Sequence, residues 1–107
     1  MLQGVSVFSR KCYERLLQVP AGRVTTYSEL ARSLGSKGFR AVGRAMNKNP
    51  FAPHVPCHRV VASDGSVGGF ARGVAKKVAL LRREGVEVRQ GKVVDFEKVF
   101  FRFERET

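Results

Sequence analysis

The sequence lacks what a membrane-spanning or exported chain needs. No run approaches the about 18 consecutive apolar residues of a bilayer span. Met1 to Arg15 contains no unbroken apolar stretch of the kind that marks a signal peptide. Both absences set the expectation of a cytoplasmic protein with no membrane partner. Cysteine is scarce: Cys12 and Cys57 are the only two in 107 residues. In a reducing compartment both should stay free, so each is a core thiol, a metal ligand or a nucleophile. Acidic residues are also few, 9 Asp+Glu against 20 Lys+Arg, a net charge of +11. None lies between Glu29 and Asp64, although Arg32, Lys37, Arg40, Arg44, Lys48 and Arg59 all do. A single-sign stretch of this kind points to a polyanionic partner, nucleic acid ahead of an anionic membrane surface. The simpler alternative, a solvated surface that is merely basic, would scatter the excess along the chain. Repeats and low-complexity segments are missing too. With 43% hydrophobic residues, the chain fits one domain, 1–107, built on one modest core.

What is present reads as short helices with short strands between them. Ser6 or Ser9 can cap a first helix running to about Val19, with Phe8, Cys12 and Leu16 as a buried stripe and Leu17 beside them. Cys12 on that stripe is most simply a small hydrophobe. Pro20-Ala21-Gly22 ends the helix. Val24 to Tyr27 is short and β-branched. Thr26 and Glu29 have capping-box spacing and start a second helix through Leu34, with Leu30, Ala31 and Leu34 inward and Gly35 as its stop. After the turn Ser36-Lys37-Gly38, a third helix spans about Phe39 to Lys48. It carries Phe39, Val42 and Met46 on one face and Lys37, Arg40, Arg44 and Lys48 on another. Helix, short turn and basic helix make a helix-turn-helix pattern. An amphipathic pair with a solvated basic face has the same pattern, and on this feature alone both readings stand.

Three prolines between Asn49 and Pro56 forbid a helix there and predict an extended connector that delivers Cys57. Val60 to Ala62 reads as a strand and Ser63 to Ser66 as a turn. Gly68-Gly69 permits positive φ or a close approach to a ligand. A last helix runs from about Ala71 to Glu84 on Val74, Val78 and Leu81, stopped by Gly85. From Val86 the pattern changes to two short strands around Gly91, then a phenylalanine-rich segment, Asp95 to Arg105, that strand and helix fit equally. Its expected role is to cover the core or an exposed edge.

Cys57 has the setting of a nucleophile. A cysteine attacks as its thiolate, and a free thiol titrates near 8.5, so a base or a positive charge must favour the anion. His58 is adjacent and Arg59 follows. On an extended segment neighbouring side chains point to opposite sides, so a water relay from Cys57 to His58 fits better than a direct bond. Glu84 is a candidate third member that orients the imidazole. A lone Cys-His pair is a weak signal by itself. A zinc site of Cys12, His54, Cys57 and His58 has the residue types but not the usual paired spacing, and His54 fits a satisfied polar residue of the connector.

Taken together, the motifs resemble a family. Pro56-Cys57-His58-Arg59-Val60-Val61, Gly68-Gly69-Phe70 and Leu80-Leu81-Arg82-Arg83-Glu84-Gly85 look like O6-alkylguanine-DNA alkyltransferase, also called methylated-DNA–protein-cysteine methyltransferase. So do Gly22 to Ala31, Arg40 to Met46, and Asn49-Pro50. The blocks keep the family's order and spacing from about Phe8 to Gly85. The resemblance is to its C-terminal catalytic domain. It implies a mainly α, single winged-helix-like domain with a helix-turn-helix and short strands around the active-site loop. It implies DNA repair in which Cys57 takes an alkyl group from O6 of guanine, once per molecule and without a cofactor or metal. His58, a bound water and Glu84 would activate Cys57. Tyr27 would help rotate the nucleotide out of the stack and donate to the leaving guanine. Asn49 would tie the helix-turn-helix to the connector. Arg40 would fill the vacated stack, with Arg44, Lys48 and Arg59 also on DNA. Val60, Gly69, Phe70 and the backbone of Ala71 would line the pocket. The partner would be double-stranded DNA carrying O6-alkylguanine, bound through its minor groove by a monomer.

The sequence departs from that family in three places. The family's N-terminal domain has no counterpart before Phe8. Phe70 stands where a tyrosine is common, keeping a ring but losing a hydroxyl. Residues 86–107 form a C-terminal extension that the resemblance does not cover. The nearest rival is an alkyltransferase-like protein that flips and flags the lesion without repairing it. Such proteins replace the acceptor cysteine, which is present here as Cys57. A sequence-reading helix-turn-helix regulator and a thiol hydrolase are more distant rivals.

Overall fold

The structure is a computed structural model, and it describes residues 4–52, 54–70 and 73–103. It is mainly helical with a small sheet. Helix α1 covers Val7–Leu16, capped by the Ser6 hydroxyl, which accepts from the Ser9 amide at 3.1 Å. The helix stops three residues short of Val19, because the chain tightens into a turn from Leu17 to Val19 before Pro20. Cys12, Tyr13 and Leu16 are its buried residues, while Leu17 is exposed. Tyr13 was absent from the expected stripe. It is buried because its hydroxyl can reach the Ala45 carbonyl, to which it donates at 2.7 Å.

Strand β1, Thr25–Thr26, pairs in parallel with β2, Val60–Val61. Between them run α2, Tyr27–Ser33, and α3, Phe39–Asn47. Thr26 caps α2 through the Glu29 amide at 3.0 Å, and Gly35 supplies the positive φ, 69°, that ends it. In α3, Val42, Ala45 and Met46 are buried. Phe39, expected on one face with Val42 and Met46, is 52% exposed at the first position of the helix. The segment bearing Cys57 also differs from expectation: it is a single 3-10 turn, Cys57–Arg59, closed by the Arg59 amide on the Pro56 carbonyl at 3.0 Å.

Helix α4, Val74–Arg83, buries Lys77 and Leu81. Val74 is exposed and Val78 only half-buried, so the inward stripe lies one position round from the one the valines suggest. Residues 88–103 then wrap the domain. Strands β3, Val88–Arg89, and β4, Lys92–Val93, form a hairpin whose two loop residues, Gln90 and Gly91, have φ of 50° and 76°. That pairing of positive angles is the tight-hairpin geometry that glycine favours. A short helix α5, Phe96–Val99, leads into an extended end. Its Val99 carbonyl accepts from the Val24 amide at 2.9 Å, and the Phe101 amide donates back to the Val24 carbonyl at 2.7 Å. The C-terminal segment thus covers the free edge of β1.

Side chains alternate across a strand, and that alternation divides the core. Val60 joins one cluster with Cys12, Tyr13, Leu16, Leu30, Val42, Val55, Cys57 and Phe103. Val61 joins a second with Val24, Val67, Leu81, Val86, Val88 and Val93. The Cys57 turn enters β2 at the seam between the two.

Candidate active site

Asn49 fixes the connector that leads to Cys57. Its side-chain amide donates to the Val55 carbonyl at 2.8 Å, and its side-chain oxygen accepts from the Phe51 amide at 2.9 Å. A proline-rich segment has few amides of its own to pair, so one side chain bonding in both directions holds its shape. Cys57 follows, 6% exposed, with its amide on the Val55 carbonyl at 2.9 Å. Among the described residues, no hydrogen bond joins its sulfur to His58.

His58 turns to Glu84 instead. Its Nε2 lies 3.1 Å from Glu84 Oε2. A carboxylate only accepts, so Nε2 carries the proton and Nδ1 is left as the basic nitrogen. Burial pushes the His58 imidazole below its ordinary range, and the bond to Glu84 only partly offsets this. At neutral pH it is therefore an uncharged base. For Glu84, burial alone would raise the carboxyl, but donors from Arg59 and His58 outweigh it and hold the group below its usual range.

Arg59, expected among the DNA-contacting cations, is turned inward. Its Nε donates to Glu84 Oε1 at 2.9 Å, one terminal nitrogen pairs with Oε2, and the other donates to the Val19 carbonyl at 2.7 Å. A two-pronged grip on a carboxylate uses the guanidinium's planar fork and leaves little of it for a phosphate. Glu84 thus sits between His58 and Arg59, and α4 is bound to the Cys57 turn through it.

Tyr27, first residue of α2, packs half-buried against the cluster that holds Cys57. Burial raises its phenol, and the charge of Cys57 raises it further, so it stays protonated and able to donate. A Cβ built on Gly68, whose φ is 70°, would lie 3.7 Å from the Tyr27 hydroxyl. The glycine lets the 65–70 loop pass close to that ring. Of the other expected pocket residues, Val60 is buried, Phe70 half-buried and Gly69 exposed, and Ala71 lies outside the described residues. Arg40 and Arg44 on α3, and Lys48 just after it, are exposed.

One residue of the site escaped the sequence reading. Lys77 is fully buried and donates to the carbonyls of Val67 and Gly69, with its nitrogen 5.8 Å from the centre of the Tyr27 ring. Its position four before Leu81 on the inward face was the available signal. The other thiol is separate: burial pushes Cys12 up to about 11, within the α1 core. Among the described residues, no three His, Cys, Asp or Glu side chains gather as a metal would require. No described helix is long and apolar enough to cross a membrane.

Comparison with known proteins adds to this geometry. Residues 7–86 match the family described as 6-O-methylguanine DNA methyltransferase, DNA binding domain. A methylated-DNA–protein-cysteine methyltransferase of Saccharolobus solfataricus is 46% identical over 81 residues, which are 76% of this chain and 52% of that protein. The chain therefore spans about half the length of the curated methyltransferase it matches. The crystal structure of the O6-methylguanine-DNA methyltransferase of Pyrococcus kodakaraensis superposes with a TM-score of 0.73 at 49% identity, covering 78% of this chain and 48% of that one. Atl1 of S. pombe, in complex with damaged DNA containing O6-carboxymethylguanine, superposes with a TM-score of 0.79 at 32% identity, covering 89% of this chain and 94% of that one.

Proposed function

This chain belongs to the 6-O-methylguanine DNA methyltransferase DNA-binding-domain family, and on that premise we propose that it repairs DNA by moving an alkyl group from O6 of guanine to Cys57. The observation that carries the reading is the His58–Glu84 pair beside a buried thiol. A water between Cys57 and His58 Nδ1 takes the thiol proton to the imidazole, while Glu84 holds the ring and its tautomer. The thiolate attacks the alkyl carbon, the S–C bond forms, and the C–O6 bond breaks with its electron pair on guanine. Tyr27 donates to that developing charge, and the base is protonated as it leaves. A thioether does not hydrolyse under mild conditions, so each molecule acts once.

The remaining roles follow from this reading. The domain is a winged-helix-like, C-terminal-type catalytic unit, with α2–α3 as its helix-turn-helix and β3–β4 as the wing. It acts as a monomer on double-stranded DNA from the minor groove, which suits reading damage rather than sequence. Arg40 fills the stack from which the guanine is rotated, and Arg44 and Lys48 neutralise phosphates. Val60, Gly69, Phe70 and Ala71 border the extruded base.

A second reading, lesion binding without transfer, draws on the near full-length likeness to Atl1. Intact-mass spectrometry after incubation with an O6-methylguanine oligonucleotide separates the two. We expect one added methyl, mapped to Cys57 and lost in Cys57→Ala. An unchanged mass despite tight, lesion-dependent binding overturns transfer and leaves the binder.

A further inference from the structure

A lysine with no exposed surface is rare, because the ammonium must leave water. Lys77 is such a residue. The salt bridges of the described residues do not include it. Its partners are the Val67 and Gly69 carbonyls and the face of the Tyr27 ring. The two carbonyls belong to one loop, and Tyr27 packs against the cluster that holds Cys57. Val67 and Gly69 flank Gly68, over which the Tyr27 hydroxyl lies. A leucine at this inward position of α4 would fill the space without the desolvation cost.

We propose that Lys77 is a positioning residue of the acceptor site, tying the 67–69 loop and the Tyr27 ring to α4 and standing as the buried counter-charge of the Cys57 thiolate. This rests on the reading of Cys57 as alkyl acceptor. The Tyr27 ring of α2 lies under the ammonium, Cys57 and His58 of the 3-10 turn interact with its charge, and Glu84 and Arg59 are bonded in turn behind His58. Burial lowers the Lys77 amine to about 8, while the Cys57 charge pulls it back upward. The same positive charge helps keep His58 neutral. A single ammonium thus disfavours a second cation at His58 and fixes the phenol that donates to the leaving base.

Two measurements test this. The first follows the Lys77 side-chain nitrogen by NMR across pH, in the wild-type chain and in Cys57→Ser. We expect Lys77 to titrate well below the surface lysines, and lower in Cys57→Ser than in wild type, because the thiolate is gone. The second compares single-turnover methyl transfer in Lys77→Met and Lys77→Arg. Lys77→Met should transfer roughly tenfold more slowly, the scale set by one unit charge several ångströms away in a partly desolvated site. Lys77→Arg should recover part of that loss. Identical Lys77 titration in wild type and Cys57→Ser overturns the proposal, and so does a folded Lys77→Met with wild-type transfer. If Lys77→Met does not fold, the NMR arm decides alone. If the wild-type chain transfers no methyl group, the acceptor reading fails while the NMR arm still reports on the Lys77–Cys57 pair.

Discussion

His58 Nε2 and Glu84 Oε2 stand 3.1 Å apart, although the Cys57 turn and the C-terminal end of α4 are far separated in sequence. The contact sets the pH behaviour of the site. Burial depresses the His58 imidazole, so it remains an available base at and somewhat below its ordinary value of about 6.5. On the acid side of neutrality, transfer should hold from pH 7 down to about 6.5 and fall only in more acidic solution. A wild-type midpoint above 6.5 contradicts this. The same depression acts on stability: the neutral ring's contribution is complete above about 6.5 and is lost as pH falls through the lower folded value. Glu84→Gln removes the partner that raises His58, so it should move the acid limb further down. It should also slow the plateau by roughly 10²-fold, since the imidazole loses its fixed tautomer.

The C-terminal segment ought to be structural rather than dispensable. Phe103 is 3% exposed within the first core cluster, and its amide donates to Glu29 Oε2 at 2.8 Å. Arg32 grips the same carboxylate and the Phe103 carbonyl. Arg23 and Thr25 also donate to carbonyls of Val99 to Phe101. Phe103→Ala should cost about 3–4 kcal/mol in denaturant unfolding. Truncation after Asp95 should cost more, because Val24, Arg23 and Thr25 lose these partners and Val24 becomes an open strand edge. A truncated chain with unchanged stability would show the segment to be ornamental.

The helices were legible because their caps and stripes are local: Thr26 with Glu29, Gly35, and Leu30 with Ala31 are sufficient for α2. Cys57, His58 and Glu84 were legible through the motifs they sit in. What escaped was decided by long-range partners. Tyr13 is buried because Ala45 offers a carbonyl 32 residues away. Arg59 faces inward because Glu84 and the Val19 carbonyl reach it from either side of the chain. Lys77 is buried because two backbone carbonyls and an aromatic face close around it. The Phe96–Val99 helix and the extended Phe100–Phe103 segment share one composition, and only the edge of β1 separates them.

Cys12 and Cys57 should differ sharply in reactivity. Cys12 has no exposed surface, and burial pushes its thiol up to about 11. At pH 8 it holds almost no thiolate and no path to reagent. Treatment with a small alkylating reagent, followed by peptide mapping, should label Cys57 and leave Cys12 unlabelled until the chain unfolds. Equal labelling of both in the folded protein would contradict the buried setting of Cys12.

Salt dependence tests which of the cations touch DNA. Each phosphate neutralised by a protein cation contributes about one unit to the slope of log affinity against log salt. Arg44 on α3 and Lys48 just after it are exposed, and among the described residues no acidic side chain forms a salt bridge with either. Replacing either by alanine should weaken binding to any duplex and reduce the slope by about one. Arg59 is spent on Glu84 and the Val19 carbonyl. Arg59→Met should leave the slope unchanged. It should instead destabilise the fold by about 2 kcal/mol, since Glu84 keeps its charge in a partly buried place with one partner gone. A drop of one in the slope for Arg59→Met, with stability intact, would return Arg59 to the DNA face.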